Sequence, residues 1–245
     1  MAKLLLKRDK SLNAFMTLLF IASIFLLSVI LTYILEPYTS NRLLAQQADV
    51  LLETMSSVQV YTSKQVRPNL DHQSDDQFHP ESVPSYAAQQ VFEQLRQESK
   101  YSNFSYKQAV LNPTNLRDKA NDFEENVIEQ YRSHNVSSKD PIKGQETINR
   151  KRFFYEAKAI RINQPSCLQC HSTPNVAPRN MVDHYGDDNG FGWQLKEIVG
   201  VQIIYLPLDS LKSFSHLLLH KIMAIVSTIF GVLLLGVRRW LKPIS

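Results

Sequence analysis

Two uncharged runs frame the chain. Ser11 to Leu35 spans 25 residues without a charge, enough at about 1.5 Å rise per residue to cross a bilayer core of about 30 Å. Ile222 to Val237 is a second run of 16. Leu217 to Leu219 extend it, and Lys221 can snorkel to the interface. Lys3, Lys7, Arg8 and Lys10 precede the first run, and Arg238, Arg239 and Lys242 follow the second. By the positive-inside rule both termini are cytoplasmic and the middle lies outside. The pattern predicts a cytoplasmic start at 1–10, spans at 11–35 and 217–237, an outer domain at 36–216 and a cytoplasmic end at 238–245. A cleaved signal peptide is the alternative for the first run, but the run is long for one and no A-x-A-like site follows promptly.

Between the runs the patterning changes. Leu44, Ala48, Leu51, Met55 and Val58 repeat with 4-3-4-3 spacing, predicting a helix from Ser40 to Val66. It either packs on its own domain or also pairs with a second subunit. Pro84 opens a helix to about Gln97, with Ala87, Ala88, Val91, Phe92 and Leu95 on its apolar side. Tyr101–Val110 reads as a strand, and Asn115 is a candidate cap for a helix over 116–132, with Ala120, Phe123, Val127 and Tyr131 inward. His134 to Gly144 reads as a loop. Phe153–Ile162 and the β-branched Ile198–Leu206 read as strands. More than thirty residues separate these two strands, and a loop that long is usually functional. The pattern as a whole predicts an α+β domain: helices with a small antiparallel sheet.

Charge adds little to this. The formal net charge is +4, but four Lys/Arg against one Asp fall in residues 1–35 and four against none in 217–245. The outer segment carries 19 Lys/Arg against 22 Asp/Glu. The basic balance belongs to the topology signals, and no nucleic-acid partner is expected.

The long loop holds the candidate chemistry. Cys167-Leu-Gln-Cys170-His171 contains the chain's only two cysteines, and C-x-x-C-H is the attachment sequence for c-type haem. Each thiol adds to a vinyl group, and the adjacent histidine faces the iron. A disulfide or thioredoxin-like redox pair, or a metal site, are the alternatives. A zinc site lacks a second Cys/His pair at matching spacing, and the prolines at 165 and 174 do not suit a redox pair at a strand-to-helix junction. The expected cofactor is therefore one covalent haem c, bound by Cys167 and Cys170, with His171 as proximal ligand.

For the other face of the iron, Met55 is a candidate on the stripe of the first helix. A Met ligand would raise the potential; a Met at helical spacing is also ordinary core. His79 is the second candidate, although it fits a surface turn. His72 lies in an acidic loop, and Met181 and His184 follow His171 too closely to reach its opposite side easily. Arg161 and Arg179 are candidate propionate partners, against the plain alternative of solvated side chains. Trp193 and Phe191 are candidates to pack on the porphyrin.

Phe78-His-Pro-Glu-Ser-Val-Pro-Ser-Tyr-Ala-Ala-Gln-Gln-Val-Phe-Glu93, Leu111-Asn-Pro-Thr-Asn115, Phe123-Glu124, Ile160 to Pro174, Tyr185-Gly186 and Asn189-Gly-Phe-Gly-Trp193 carry a resemblance. Together they resemble the extracytoplasmic c-type haem-binding family known as domain of unknown function 3365, over roughly residues 40–210. The resemblance implies a PAS-like fold and a sensing role in membrane histidine kinases and related receptors. Leu241-Lys-Pro-Ile244 resembles the opening of a HAMP helix, and the chain stops at Ser245. An output would then come from a partner, such as a histidine kinase.

The functional expectation is a redox or gas sensory module in the bacterial inner membrane or a thylakoid membrane, its haem domain in the periplasm or lumen. A homodimer, a kinase or a redox protein are the candidate partners. The alternative is a membrane-anchored electron-transfer cytochrome c. A catalytic haem enzyme is third: it requires an open iron and a distal acid–base residue, for which His79 is the one candidate. No nucleophile–base set or phosphate loop is present, and the chain is expected not to be an enzyme.

Overall fold

The computed structural model describes residues 2–30, 36–71, 79–133 and 137–240. They divide into two compact units, 1–43 with 209–245, and 44–208. The first unit holds helices α1 (Ala2–Ile30) and α8 (Lys212–Trp240), with Phe20 stacked on Phe230 at a centroid distance of 4.9 Å. Many of their apolar side chains face outward, among them Leu18, Phe25, Val232 and Leu235. Among the described residues, however, no helix is long and apolar enough to cross a membrane. The two expected spans therefore have no support from these helices. Residues 31–35 of the first run lie outside the described residues.

The second unit is α+β, as the patterning predicts. Strands β1 (Ser105–Val110), β2 (Ile142–Ile148), β3 (Lys151–Arg161) and β4 (Ile198–Pro207) form one antiparallel sheet in the order β1-β4-β3-β2. The central β4 is buried along nearly its whole length, which explains an apolar sequence interrupted by a polar side chain only at Gln202.

Helix α2 (Glu36–Tyr61) covers one face. It continues through a π turn, Thr62–Val66, into the short α3 (Arg67–Asp71), so the helical path runs beyond the expected end at Val66. Pro68 follows the π turn directly, where the regular i→i−4 ladder is already interrupted. Leu44, Ala48, Leu52, Met55 and Thr62 are the buried positions. Leu52 takes the place expected of Leu51, because a helix has 3.6 rather than 3.5 residues per turn. Polar pairs fix α2 on the sheet. Lys158 Nζ lies 2.9 Å from Asp49 and 2.6 Å from Glu53, Ser56 donates to Gln202 at 3.3 Å, and Gln59 donates to Tyr106 Oη at 3.2 Å. Burial works against the Lys158 ammonium, but its hydrogen bonds to Glu53 and Asp49 outweigh this and hold its pKa above the usual value. Helix α4 (Pro84–Arg96) packs beside α2 against β1, with Phe92 5.4 Å from the Tyr106 ring. Val91, expected inward, is exposed.

Helix α5 (Asp122–Arg132) covers the opposite face. Val127, Ile128 and Tyr131 meet Ala109, Ala157, Val201 and Ile203 there. Asn115 caps only a single 3-10 turn, Leu116–Asp118. The cap of α5 is Asn121, reciprocated by Glu124 in a capping box. The fully buried Glu124 carboxylate also takes bonds from Lys107 at 2.7 Å and Tyr205 at 3.1 Å. A buried charge is tolerated only with such partners. The segment expected to be a loop instead enters β2, an edge strand joined to β3 through Asn149 and Arg150, both at positive φ. The remainder of the second unit is the loop 162–197, which contains α6 (Leu168–His171) and α7 (Arg179–Tyr185).

Candidate haem-attachment site

The loop returns to the sheet where β1 and β3 end and β4 begins. Val110, Ile162 and Val199 form a small buried cluster there, and Ile160, Cys167, Leu168 and Trp193 pack against it. Pro165 starts a 3-10 turn, Pro165–Cys167, that runs directly into α6. Cys167, Cys170 and His171 are thereby brought within about one helical turn. Both thiols are free and half-buried.

His171 is held on several sides. Its Nδ1 lies 2.8 Å from the carbonyl oxygen of Gly190. A carbonyl only accepts, so Nδ1 carries the proton and Nε2 keeps its lone pair. Trp193 stacks on the imidazole at 3.9 Å and 15°, and its backbone N–H donates to His171 O at 3.1 Å. Burial lowers the imidazole pKa; the Gly190 bond works the other way, and the nearby Arg67 charge adds to the lowering. The neutral form, which can ligate a metal, is favoured.

A second layer fixes Gly190 itself. Asn112 Oδ1 accepts from Gly190 N at 3.2 Å, and Asn112 Nδ2 donates to Phe191 O at 3.2 Å. Gly190 has φ +85°, and a Cβ there would lie 2.7 Å from Thr114 Cα. Glycine is therefore required. The turn Asn112-Pro-Thr and the run Asn189-Gly-Phe-Gly-Trp193, separate in sequence, form one clamp behind His171.

The other expected site residues are distributed as follows. Met55 is buried on α2, on the stripe that faces the sheet. His79 is half-buried and starts the 3-10 turn Pro80–Ser82, its carbonyl accepting from Ser82 N at 3.0 Å. That turn packs against the π turn of α2. His72 lies outside the described residues. Met181 is buried on α7, while His184 is exposed. Arg161 neighbours Ile160 and so points to the opposite face of the sheet; its Nε donates to Lys196 O at 2.9 Å. Arg179 is 96% exposed and pairs only loosely, at 3.9 Å, with Asp183. The structure thus brings neither arginine against the motif. The cation found there is Arg67, whose Nη2 lies 3.8 Å from Cys170 Sγ. Nothing local marks the contact of Arg67 with Cys170, 103 residues away in the chain; Asn112 and Gly190 fall within runs that carry the family resemblance, but no site role is legible for them there. Trp193, expected against a porphyrin, packs on the His171 ring.

Among the described residues, no three His, Cys, Asp or Glu side chains come together to hold a bare metal ion. The residues do fit a haem. Two free thiols at the required spacing stand beside a histidine whose Nε2 is available and whose ring is oriented by a carbonyl, as the outer partners of metal-ligating histidines usually do.

Comparison with known proteins places these features. No curated protein matches the chain. A solved structure, described as the crystal structure of the cyanobacterial heme-protein Tll0287, is similar at 13% identity and a TM-score of 0.48, covering 66% of this chain and 94% of that one. Residues 39–207, nearly all of the second unit, match the Tll0287-like family, and the chain belongs to that family.

Proposed function

We propose that this protein is a membrane-anchored c-type haem protein whose outer domain is a redox or gas sensory module, read by a partner. The observation that carries the haem assignment is the constraint on His171: Nδ1 bonded to Gly190 O beside the free Cys167 and Cys170 thiols. Cys167 and Cys170 would attach the group and His171 would hold its iron. Membership of the Tll0287-like family, whose name is that of a described heme-protein, adds to this reading. Haem, once bound, supplies a one-electron couple and a site for small axial ligands. The chain's own residues fix the imidazole through Gly190 and Asn112, shield it with Trp193, and present Arg67 beside Cys170.

The sensory reading is supported by α2. Through α3 its far end places Arg67 on Cys170 Sγ, so a change at the haem motif has a direct contact with the end of this helical path. The uncharged runs 11–35 and 222–237, with the Lys and Arg that lie outside them in the sequence, support anchoring with the outer domain in the periplasm or a lumen. A PAS-like assignment is consistent with a small antiparallel sheet covered by helices.

The test is an absorption spectrum of the full chain produced with c-type maturation machinery, oxidised, reduced and with CO. A covalent haem lost in Cys167→Ser/Cys170→Ser is expected; its absence from the unmutated chain refutes the reading. A six-coordinate spectrum that resists CO and changes in Met55→Ala identifies Met55 as distal ligand. One that changes in His79→Ala identifies His79. Ready uptake of CO identifies an open site.

A further inference from the structure

A cleft of about 420 Å3 opens on the α5 side of the sheet, away from the cysteine motif. Its walls include Arg132, Arg161, Lys196, Ser137, Ser138 and Glu197. Three cations thus meet one carboxylate. That carboxylate is engaged: Glu197 Oε1 lies 2.8 Å from Arg132 and Oε2 accepts from Gln194 N at 2.9 Å. Arg132 is further occupied by the carbonyl of Ile198 at 3.0 Å. Arg161 and Lys196 have no carboxylate within ion-pair distance among the described residues. The Arg161 guanidinium is braced rather than neutralised, by Lys196 O at 2.9 Å and Ser138 Oγ at 3.4 Å.

The backbone adds a separate observation. Lys196 sits at φ +70°, a conformation glycine or asparagine adopts at lower cost. Its N–H donates to Ile162 O at 2.7 Å, so the turn joins the end of β3 to the start of β4. A lysine in this strained position is explained if its ammonium is needed, since nothing about the turn asks for a long cationic side chain.

We propose that this cleft binds a small oxyanion, of the phosphate or carboxylate class. Arg161 offers a planar pair of donors suited to two oxygens of either. Lys196 adds a mobile point charge, and the Ser137 and Ser138 hydroxyls supply neutral donors. The cleft volume falls in the range of small-molecule sites, about 300–1,000 Å3. This site is independent of the haem assignment, because it shares no residue with the Cys167–His171 motif.

The experiment is a thermal-shift titration of the full chain with inorganic phosphate and, separately, with succinate, against chloride at matched ionic strength. A saturable rise in melting temperature with at least one anion is expected, and which one acts sorts the ligand class. Arg161→Gln should weaken binding at least tenfold. Lys196→Gly should do the same while keeping or raising the melting temperature without anion, since it removes the backbone strain with the charge. Arg150→Gln, on the exposed β2–β3 turn, should bind like the unmutated chain. A shift that does not saturate, or that is equal in Lys196→Gly and Arg150→Gln, identifies an adventitious ion only and overturns the proposal.

Discussion

Alanine at Gly190 and at Gly192 separates two costs that are usually confounded. Both glycines have similar positive φ, +85° and +82°, so the backbone cost of adding a Cβ is nearly the same, about 1–2 kcal/mol. Their surroundings differ. A Cβ at Gly192 meets nothing within 4 Å, whereas at Gly190 it comes 2.7 Å from Thr114 Cα, with Thr114 Oγ1 closer still. Relief requires the Asn112–Thr114 turn and the 189–193 run to separate, and such overpacking costs about 1–3 kcal/mol more. The clamp would then open where it holds His171, loosening the Gly190 O bond to Nδ1. Urea unfolding followed by tryptophan fluorescence measures the first part. With a slope of about 1–3 kcal/mol per molar urea, Gly190→Ala should unfold at a midpoint at least about 0.3 M below that of Gly192→Ala. In haem-loaded protein, Gly190→Ala should also shift the absorption bands, while Gly192→Ala should not. Equal midpoints for the two variants would refute the steric account of the clamp.

Three other substitutions test neighbouring statements. Asn112→Ala removes two hydrogen bonds to the clamp and should cost about 1–2 kcal/mol, with a changed reduction potential of haem-loaded protein measured by redox titration. Lys158→Ala should cost about 0.5–1 kcal/mol, because both carboxylate partners are at least half exposed. The Lys158 hydrogen bond lowers the Asp49 pKa from 3.8. Its contribution is therefore present above pH 3.8 and lost as the pH falls below it, so the variant and the unmutated chain should converge in acid melts. Glu156 has the opposite sign: its side chain is fully buried, and burial raises its pKa from 4.5 despite Lys143 at 3.1 Å. Ionising it opposes folding as the pH rises above 4.5, so Glu156→Gln should stabilise the fold at neutral pH and lose that advantage below pH 4.5.

The elements that sequence reading placed well are those with one dominant apolar signal. Strand β4 and helix α4 are of this kind. Strand β2 carries no apolar alternation signal, because Lys143-Gly-Gln-Glu-Thr has too few apolar residues, as an edge strand allows. Its Asn149-Arg150 turn also lacks the glycine that usually marks a tight hairpin. The cap expected at Asn115 falls instead at Asn121, because the single 3-10 turn Leu116–Asp118 that Asn115 caps looks in sequence like the start of the longer helix. The cysteine motif and His171 were legible because covalent chemistry fixes their spacing. Arg161 and Arg179 lie near the motif in sequence, but strand alternation turns the first away and an exposed helix carries off the second. Arg67 and Asn112 reach the motif only through the fold.

The π turn in α2 has a consequence for phasing. Thr62–Val66 closes with Arg67 N–H bonding to Thr62 O, five residues back instead of four, and so accommodates one residue more than a regular helical turn. A residue corresponds to about 100° of rotation around the axis. Arg67 thus reaches Cys170 at an azimuth that an unbroken α-helix starting from the buried stripe could not supply. Deleting one residue from this turn would leave the stripe on the sheet and swing Arg67 out of reach. The turn works as a fixed angular offset between the half of the helical path that reads the sheet and the half that touches the cysteines.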